Sequence, residues 1–368
     1  MRTTLTMLMF GCAFGAFAQA PPIDLEWSAL RWYDGTPRAH ISRDPVNGKY
    51  TWAVYNNFQS ASDEVAFPFL ADGTDIAPSY PDRFNVGSLD GLVDLSPRDG
   101  VIYNLMSHLA LGTLPYWWHL NNAPEGIGYQ TVNPGVVIDP TRSDYGYDLL
   151  VTEEAAYGCG MSETMVVPQL GVARLVKTDL QCSSLWDVTW DDGPALPHKG
   201  FSGIAMIGDT VVAMALPWMV LFDDADGALI DTIEVTQVEG DARCIAHGNR
   251  VYWTMNHDQE LFAGYHDFGT GEDHTWSSPI PGTYGAHIVV DQYDHVWVTT
   301  TTTNGTTWTE ADDQGHWYRF SEDLDPIDAG TLHFSVDDVC FVNGKISFTG
   351  NFDPVTSMAY LITGTPQP

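Results

Sequence analysis

Beyond its N-terminal end the chain has no apolar run long enough to span a bilayer, so a membrane-inserted helix is not expected in its body. Basic residues are scarce. Lys and Arg total 15 against 48 Asp and Glu, a formal net charge of −33. A field of that sign repels nucleic acid and anionic lipid, which removes DNA, RNA and acidic membrane surfaces from the expected partners. Apolar residues rarely recur at helical spacing, so helices are not expected to build the fold. Gly-x-Ser-x-Gly, a Walker loop, His-Glu-x-x-His and Cys-x-x-Cys are all missing, and no three arginines are marked as a sialidase cluster. The common nucleophile, nucleotide and zinc signatures are therefore excluded.

The first residues, "MRTTLTMLMFGCAFGAFAQAPP", read as a secretory signal with a small-x-small site at Ala16-Phe17-Ala18. The expected organisation is a signal peptide over 1–18 and one domain over 19–368, exported to the periplasm or the medium. Past Cys12 four cysteines remain. Cys159 and Cys182 lie within one repeat beside loop sequence and are the expected disulfide. Cys244 and Cys340 fall two repeats apart, so they are expected as buried thiols. Of the acidic residues 12 are Glu and 36 are Asp. Asp caps turns by accepting hydrogen bonds from nearby amides, so this excess points first to many tight turns, with calcium as the one cofactor it suggests.

What is abundant is one hairpin pattern. "AHISRDPVNGKYTWAVYNN", from Ala39, and "AHIVVDQYDHVWVTTT", from Ala286, are two of seven segments built as apolar run, polar turn, apolar run. Their turns are marked by Gly48, Gly100, Asp144, Asp209, Asn249, Asp294 and Gly344, spaced by 52, 44, 65, 40, 45 and 50 residues. A second, weaker hairpin follows most of them. Four strands recurring at about 40–50 residues is the period of a β-propeller blade. The expected fold is all-β, a seven-bladed β-propeller, with six blades as the alternative because of the 65-residue interval. "MAYLITGTPQP" gives the last repeat only a third strand, and "DLEWSALRWYD" is a strand without a blade. Pairing them would close the ring and protect a sheet edge.

Several stretches resemble known propeller families. "TVVAMALPWMVLFDDADGALIDTIEV" resembles a blade of the YVTN or quinoprotein-like propellers, and "GLVDLSPRDGVIYNLMSH" resembles the BNR-type propellers of carbohydrate-active proteins. "TTTNGTTW" is similar to the BNR Asp-box at Thr301, Gly305, Thr307 and Trp308 but has Thr303 in place of the Asp. The resemblance implies architecture and assigns no chemistry.

In such a ring, loops entering each innermost strand and leaving each second strand meet at one mouth of the channel. Reading the repeats in register places His40, Asp90, Lys199, Asp241, Arg243, His287, Asp337 and Asp338 at entries. The same register places His108, Glu153, Trp218 and His257 at exits. His287, His257, His40 and Arg243 are the candidates for catalysis, since imidazole serves as base or ligand and guanidinium neutralises a carboxylate. His108, Glu153, Trp218, Lys199, Asp241 and Asp338 are the candidates for ligand contact. Glu153, Glu154, Asp337 and Asp338 are the carboxylates from which a hydrolase pair would be drawn. "FDDADG", from Phe222, lacks the twelfth-position acid of a calcium loop and reads as a turn. In "PYWWHLNN", Trp117 reads as packing and Trp118 as a candidate sugar platform. The expected partner is a polar small molecule or polysaccharide, and the repeated Ala-His-Ile reads as architecture first. A binding module, a polysaccharide lyase or glycoside hydrolase, and an adhesion or assembly protein are the three functional readings.

Overall fold

The computed structural model describes residues 20–32, 37–56, 64–74, 82–84, 91–109, 116–124, 142–164, 171–191, 200–280, 283–302, 314–353 and 358–368. These residues form strands and turns, with no helix among them. The strands make seven antiparallel sheets, six of four strands and one, the second, of three. In chain order the sheets begin with the innermost strands Pro37–Arg43, Gly91–Arg98, Arg142–Val151, Gly203–Ile207, Arg243–His247, Thr283–Val290 and Asp338–Val342. Each later strand of a sheet is added outward. Each innermost strand touches that of the next sheet, and the seventh touches the first. The architecture is a β-propeller around a central channel.

The N-terminal strand Ile23–Trp32 completes the last sheet, lying outside Met358–Pro366 with Ile23 opposite Pro366 and Trp32 opposite Met358. The ring is thus closed by the strand that has no blade of its own. One expected turn is displaced. The chain runs straight through Asp144 in the strand Arg142–Val151 and turns at Thr152–Glu154, where the Thr152 amide donates to the carbonyl of Ala155.

There is no single core. Apolar clusters fill the spaces between neighbouring sheets instead. Trp52, Tyr50 and Ile41 pack on Leu361 and Ala359 between the first and seventh sheets, and Trp297 and Trp317 pack on Phe348 and Ile346 between the sixth and seventh. A strand covered on both faces needs no polar alternation, which is why "TVVAMA" and "VWVTTT" read as unbroken runs and lie buried. Fourth strands such as Glu272–Pro279 face water and are polar.

The Asp excess goes largely to turns. Asp44 Oδ1 accepts from the amides of Val46 and Asn47 while its Oδ2 accepts from Gly100 in the next sheet. Asp179, Asp267 and Asp291 close turns in the same way. In "FDDADG", Asp223 and Asp226 accept turn amides and Asp224 takes Lys177 and the Tyr157 hydroxyl, so these carboxylates are already committed.

The expected Cys159–Cys182 disulfide is corrected by the fold. Both are free, buried thiols. Cys159 packs into the cluster shared with the fourth sheet, whereas Cys182 packs with Tyr103 and Leu105 of the second. They lie on opposite faces of one sheet, which forbids the short Cβ–Cβ approach a disulfide needs. Burial raises both thiols above their usual range. Alkylation of the denatured, unreduced protein followed by peptide mapping is expected to label both; a linked Cys159–Cys182 peptide would refute this placement.

Candidate functional site in the central channel

An innermost strand is a sheet edge, so the amides on its free side need partners from outside the sheet. Here neighbouring innermost strands supply carboxylates. Asp338 Oδ2 accepts from the Ile41 amide, Asp94 Oδ2 from Leu149, and Asp148 Oδ2 from Ile204. Asp337 Oδ2 accepts from Ala39. These bonds stitch sheet to sheet. They also gather one level of side chains around the channel: His40, Asp94, Asp148, Arg243, His287 and Asp338, one from each sheet but the fourth, where Gly203 stands. A Cβ on Gly203 would sit 2.6 Å from the Ala242 carbonyl oxygen and 3.1 Å from Cys244 Sγ, so only glycine lets the fourth and fifth innermost strands come this close.

Bulges set three of these side chains. The ladder register slips between Leu92 and Asp94, at Tyr147 just before Asp148, and between Tyr284 and His287. A bulge turns the next side chain relative to the pleat, and bulges concentrate where a side chain must be re-aimed.

The two Ala-His-Ile histidines converge. His40 Nδ1 lies 3.4 Å from Asp338 Oδ2 and His287 Nδ1 lies 3.5 Å from Asp338 Oδ1, so one carboxylate is held between them. Burial pushes Asp338 upward, but the His40 contact, the charges of His40 and His287 and the Ile41 amide outweigh it and hold the carboxyl below its usual range. Across the level, Arg243 Nη1 donates to Asp148 Oδ1 at 2.7 Å and to the Tyr147 carbonyl at 2.6 Å. Arg243 keeps 31 % of its side chain accessible although protein encloses it. That enclosure works against its charge, but Asp148, Asp94 and Asp338 outweigh it and raise the guanidinium above its ordinary value.

Asp94 has no cation of its own among the described residues. Burial, and then the charge of Asp148, push its carboxyl well above the usual range, and the two side chains share a hydrogen bond. Burial thus favours the neutral form of Asp94, while Asp148 faces the Arg243 guanidinium. A raised carboxyl stabilises the fold fully only below its unfolded pKa, and that stability is lost as pH rises through the folded value. Asp94→Asn keeps the hydrogen bond without the titration. Its unfolding free energy is expected to match the native protein near pH 4 and to exceed it increasingly toward pH 8, by about 1.4 kcal/mol for every pH unit between the unfolded and folded titrations. Urea titrations across that range test this, and a pH-independent difference would rule it out.

The remaining sequence candidates are scattered. His257 ends the strand Arg250–His257, half-buried, with Nε2 3.2 Å from Asp258. Asp241 is exposed two residues before Arg243. Trp218 opens the third strand of the fourth sheet, half-buried against the cluster of Phe222 and Val220. Glu153 is corrected: it sits in the displaced turn at the opposite end of the sheet, exposed, and pairs with Arg98 at 3.1 Å. Glu154 is in the same turn. Glu153 and Glu154 therefore cannot form a hydrolase pair with Asp337 and Asp338. His108 lies opposite Trp117 near the end of its strand, but the side chains of His108, Trp117 and Trp118 are outside the described residues. Lys199, Asp90, the segment 1–19 and the Asp-box-like stretch beyond Thr302 also lie outside them. Among the described residues no group of three or more His, Cys, Asp or Glu is arranged to hold a metal ion.

Sequence reasoning misses Asp94 and Asp148. The false turn at Asp144 moves the whole third repeat, Asp148 included, out of register, and Asp94 lies inside the strand, past the entry assigned to Asp90.

No protein-family model matches the chain, and no curated protein matches it in sequence. Solved structures do resemble it. The β-propeller domain of Cps50 (Swd1) from Myceliophteria thermophila has a TM-score of 0.53 at 10% identity, over 93% of this chain and 99% of that one. BamB from Moraxella catarrhalis has a TM-score of 0.46 at 10% identity, over 88% and 84%. The WD40 domain of SCAP from fission yeast has a TM-score of 0.42 at 6% identity, over 92% and 98%. At such identity the first of these likenesses speaks to the β-propeller fold alone.

Proposed function

We propose that this chain is an exported β-propeller that binds a polar, hydroxyl-rich ligand of the glycan class in its central channel. The observation that carries the reading is the convergence of His40 and His287 on the two oxygens of Asp338, facing the Arg243–Asp148 pair. Such a level offers acceptors and donors side by side, which suits hydroxyl groups. A lyase acting on uronates fits less well. Arg243 is already neutralised by Asp148, and a second carboxylate would enter a channel that also holds Asp338, in a chain of net charge −33. A hydrolase is weakened because channel carboxylates are already engaged, Asp148 with Arg243 and Asp338 with the two histidines. The export part of the reading rests on the signal-like first 18 residues.

An array of neutral and uronate-containing oligosaccharides, probed with the purified chain, tests the proposal. Neutral ligands are expected to bind. Affinity should fall about tenfold or more in His40→Ala and in His287→Ala, the loss of one good hydrogen bond. Silence across the array, or binding indifferent to both substitutions, would overturn it.

A further inference from the structure

The outermost strands slip at a common place. In the third, fourth and sixth sheets the ladder drops one residue near the start of the fourth strand, beside the end of the third. The residues dropped are Leu185, Ile230 and Ile327, exposed over 56, 53 and 46 % of their surface. Edge strands are commonly guarded by bulges, charges or proline. Here each bulge re-aims an aliphatic side chain into water. In the seventh sheet Glu26 is dropped at the same place, and Leu25 beside it is exposed. All these positions lie at the turn end of the ring, opposite the mouth. Val46, Leu70 and Tyr293, also exposed, sit in turns at that end, whereas Leu30 lies nearer the mouth.

The third and fourth sheets bring two of these starts together. Trp186 Nε1 donates to the Asp224 carbonyl at 2.9 Å, and a Cβ on Gly227 would stand 3.0 Å from Trp186 and from Val188. The turn before Leu229 therefore lies against the strand that holds Leu185. Leu185, Leu229 and Ile230 thus share one part of the rim, each more than half exposed.

The charge around them has one sign. Lys177 is paired with Asp224 and Arg174 with Asp187. Asp179, Asp226 and Asp231 accept backbone amides and have no cation partner among the described residues. Two copies of this face would set carboxylate against carboxylate, and an anionic lipid surface meets the same repulsion. An exposed aliphatic group ringed by carboxylates complements a basic surface with apolar recesses.

We propose that the turn end of the third and fourth sheets is a docking surface for a protein partner. The docking face of that partner is basic and takes Leu185, Leu229 and Ile230 into apolar recesses. The surface lies away from the channel mouth, so it stands or falls apart from the channel reading.

The probe is a labelled peptide of leucine and lysine with one apolar and one basic face, titrated into the full chain. A lysine-only peptide of equal length is the control. The two-faced peptide is expected to bind, more weakly as salt rises, and to protect amides of Ser184–Trp190 and Leu229–Glu234 from hydrogen exchange. Leu185→Ser/Leu229→Ser/Ile230→Ser changes only exposed side chains. It should fold as the native chain does and weaken binding about a hundredfold. No binding, protection at the mouth instead, equal binding of the lysine-only peptide, or a triple variant that binds as native overturns the proposal. If the triple variant does not fold, the protection pattern on the native chain decides alone. A native dimer in sedimentation that the triple variant dissolves would make a second copy the occupant. Binding to phosphatidylcholine vesicles would make the occupant lipid, and either result overturns the basic partner.

Discussion

Arg243→Met is expected to lower the unfolding free energy by about 3 to 5 kcal/mol, the cost of leaving a buried ion pair with one partner. Among the described residues the guanidinium is the only cation paired with Asp148, and it also offsets the field on Asp94. Without it two adjacent carboxyls share an enclosed space. Protonation would relieve that repulsion, so the loss should be larger at pH 8 than at pH 5. The bond from Arg243 to the Tyr147 carbonyl is lost as well. Urea denaturation at both pH values measures the effect, with Arg243→Met/Asp148→Asn as the control. The double variant removes charge in a balanced way and should recover most of the loss. A single variant within about 0.5 kcal/mol of native would show that the pair is surface-like and that channel water screens it.

Gly350→Ala is expected to cost about 3 kcal/mol or more, for a steric reason. A Cβ there would fall 1.6 Å from the Ser335 carbonyl oxygen and 2.6 Å from its carbon. These atoms are backbone and cannot swing aside. They belong to the link into the seventh sheet, which is bonded on both sides of the glycine. Ser335 donates its amide to Asn351 O, and the Asp337 amide donates to Thr349 O. Relief would require the link to peel off, which would displace Asp337 and Asp338 and with them the carboxylate between the two histidines. The melting temperature should therefore fall, and the contacts of Asp338 with His40 and His287 should be lost with it. A variant with native stability would mean that the link is not held as described.

The general plan of the molecule is legible because blades advertise themselves. Asn47-Gly48 and Asn343-Gly344 need left-handed turn residues, Asp44 and Asp291 need turn amides to cap, and runs such as "VVAMAL" are buried on both faces. Ring closure is legible from the unmatched strand at 23–32 and the short last repeat. Of the channel level, His40, Arg243, His287 and Asp338 can be found by counting from turns, since the twin Ala-His-Ile segments lie at equivalent places in the first and sixth sheets. Bulges cannot be counted. Nothing in "GLVDL" or "DYGYDLL" announces a residue that drops out of the ladder, yet that slip decides that Asp94 and Asp148 meet in the channel. "SDYG" imitates a turn so well that it hides the strand through it, and Glu153 is misplaced with it. The cysteines mislead for a related reason. Closeness along the chain says nothing about which face of a sheet a side chain takes.

Asp24 and Gln367, bonded side chain to side chain at 2.8 Å, are 343 positions apart, and the strands they flank are what completes the seventh sheet. The circle therefore has a clasp, and the clasp is made from the first and the last of the described strands. Six sheets can assemble from neighbours in the chain, but the loop that joins the ends is as long as a loop in this domain can be, so its closure carries the largest entropy cost and belongs at the end of folding. Until then Met358–Pro366 offers a naked edge to any other strand. The strand Ile23–Trp32 must likewise wait, unpaired, for Met358–Pro366.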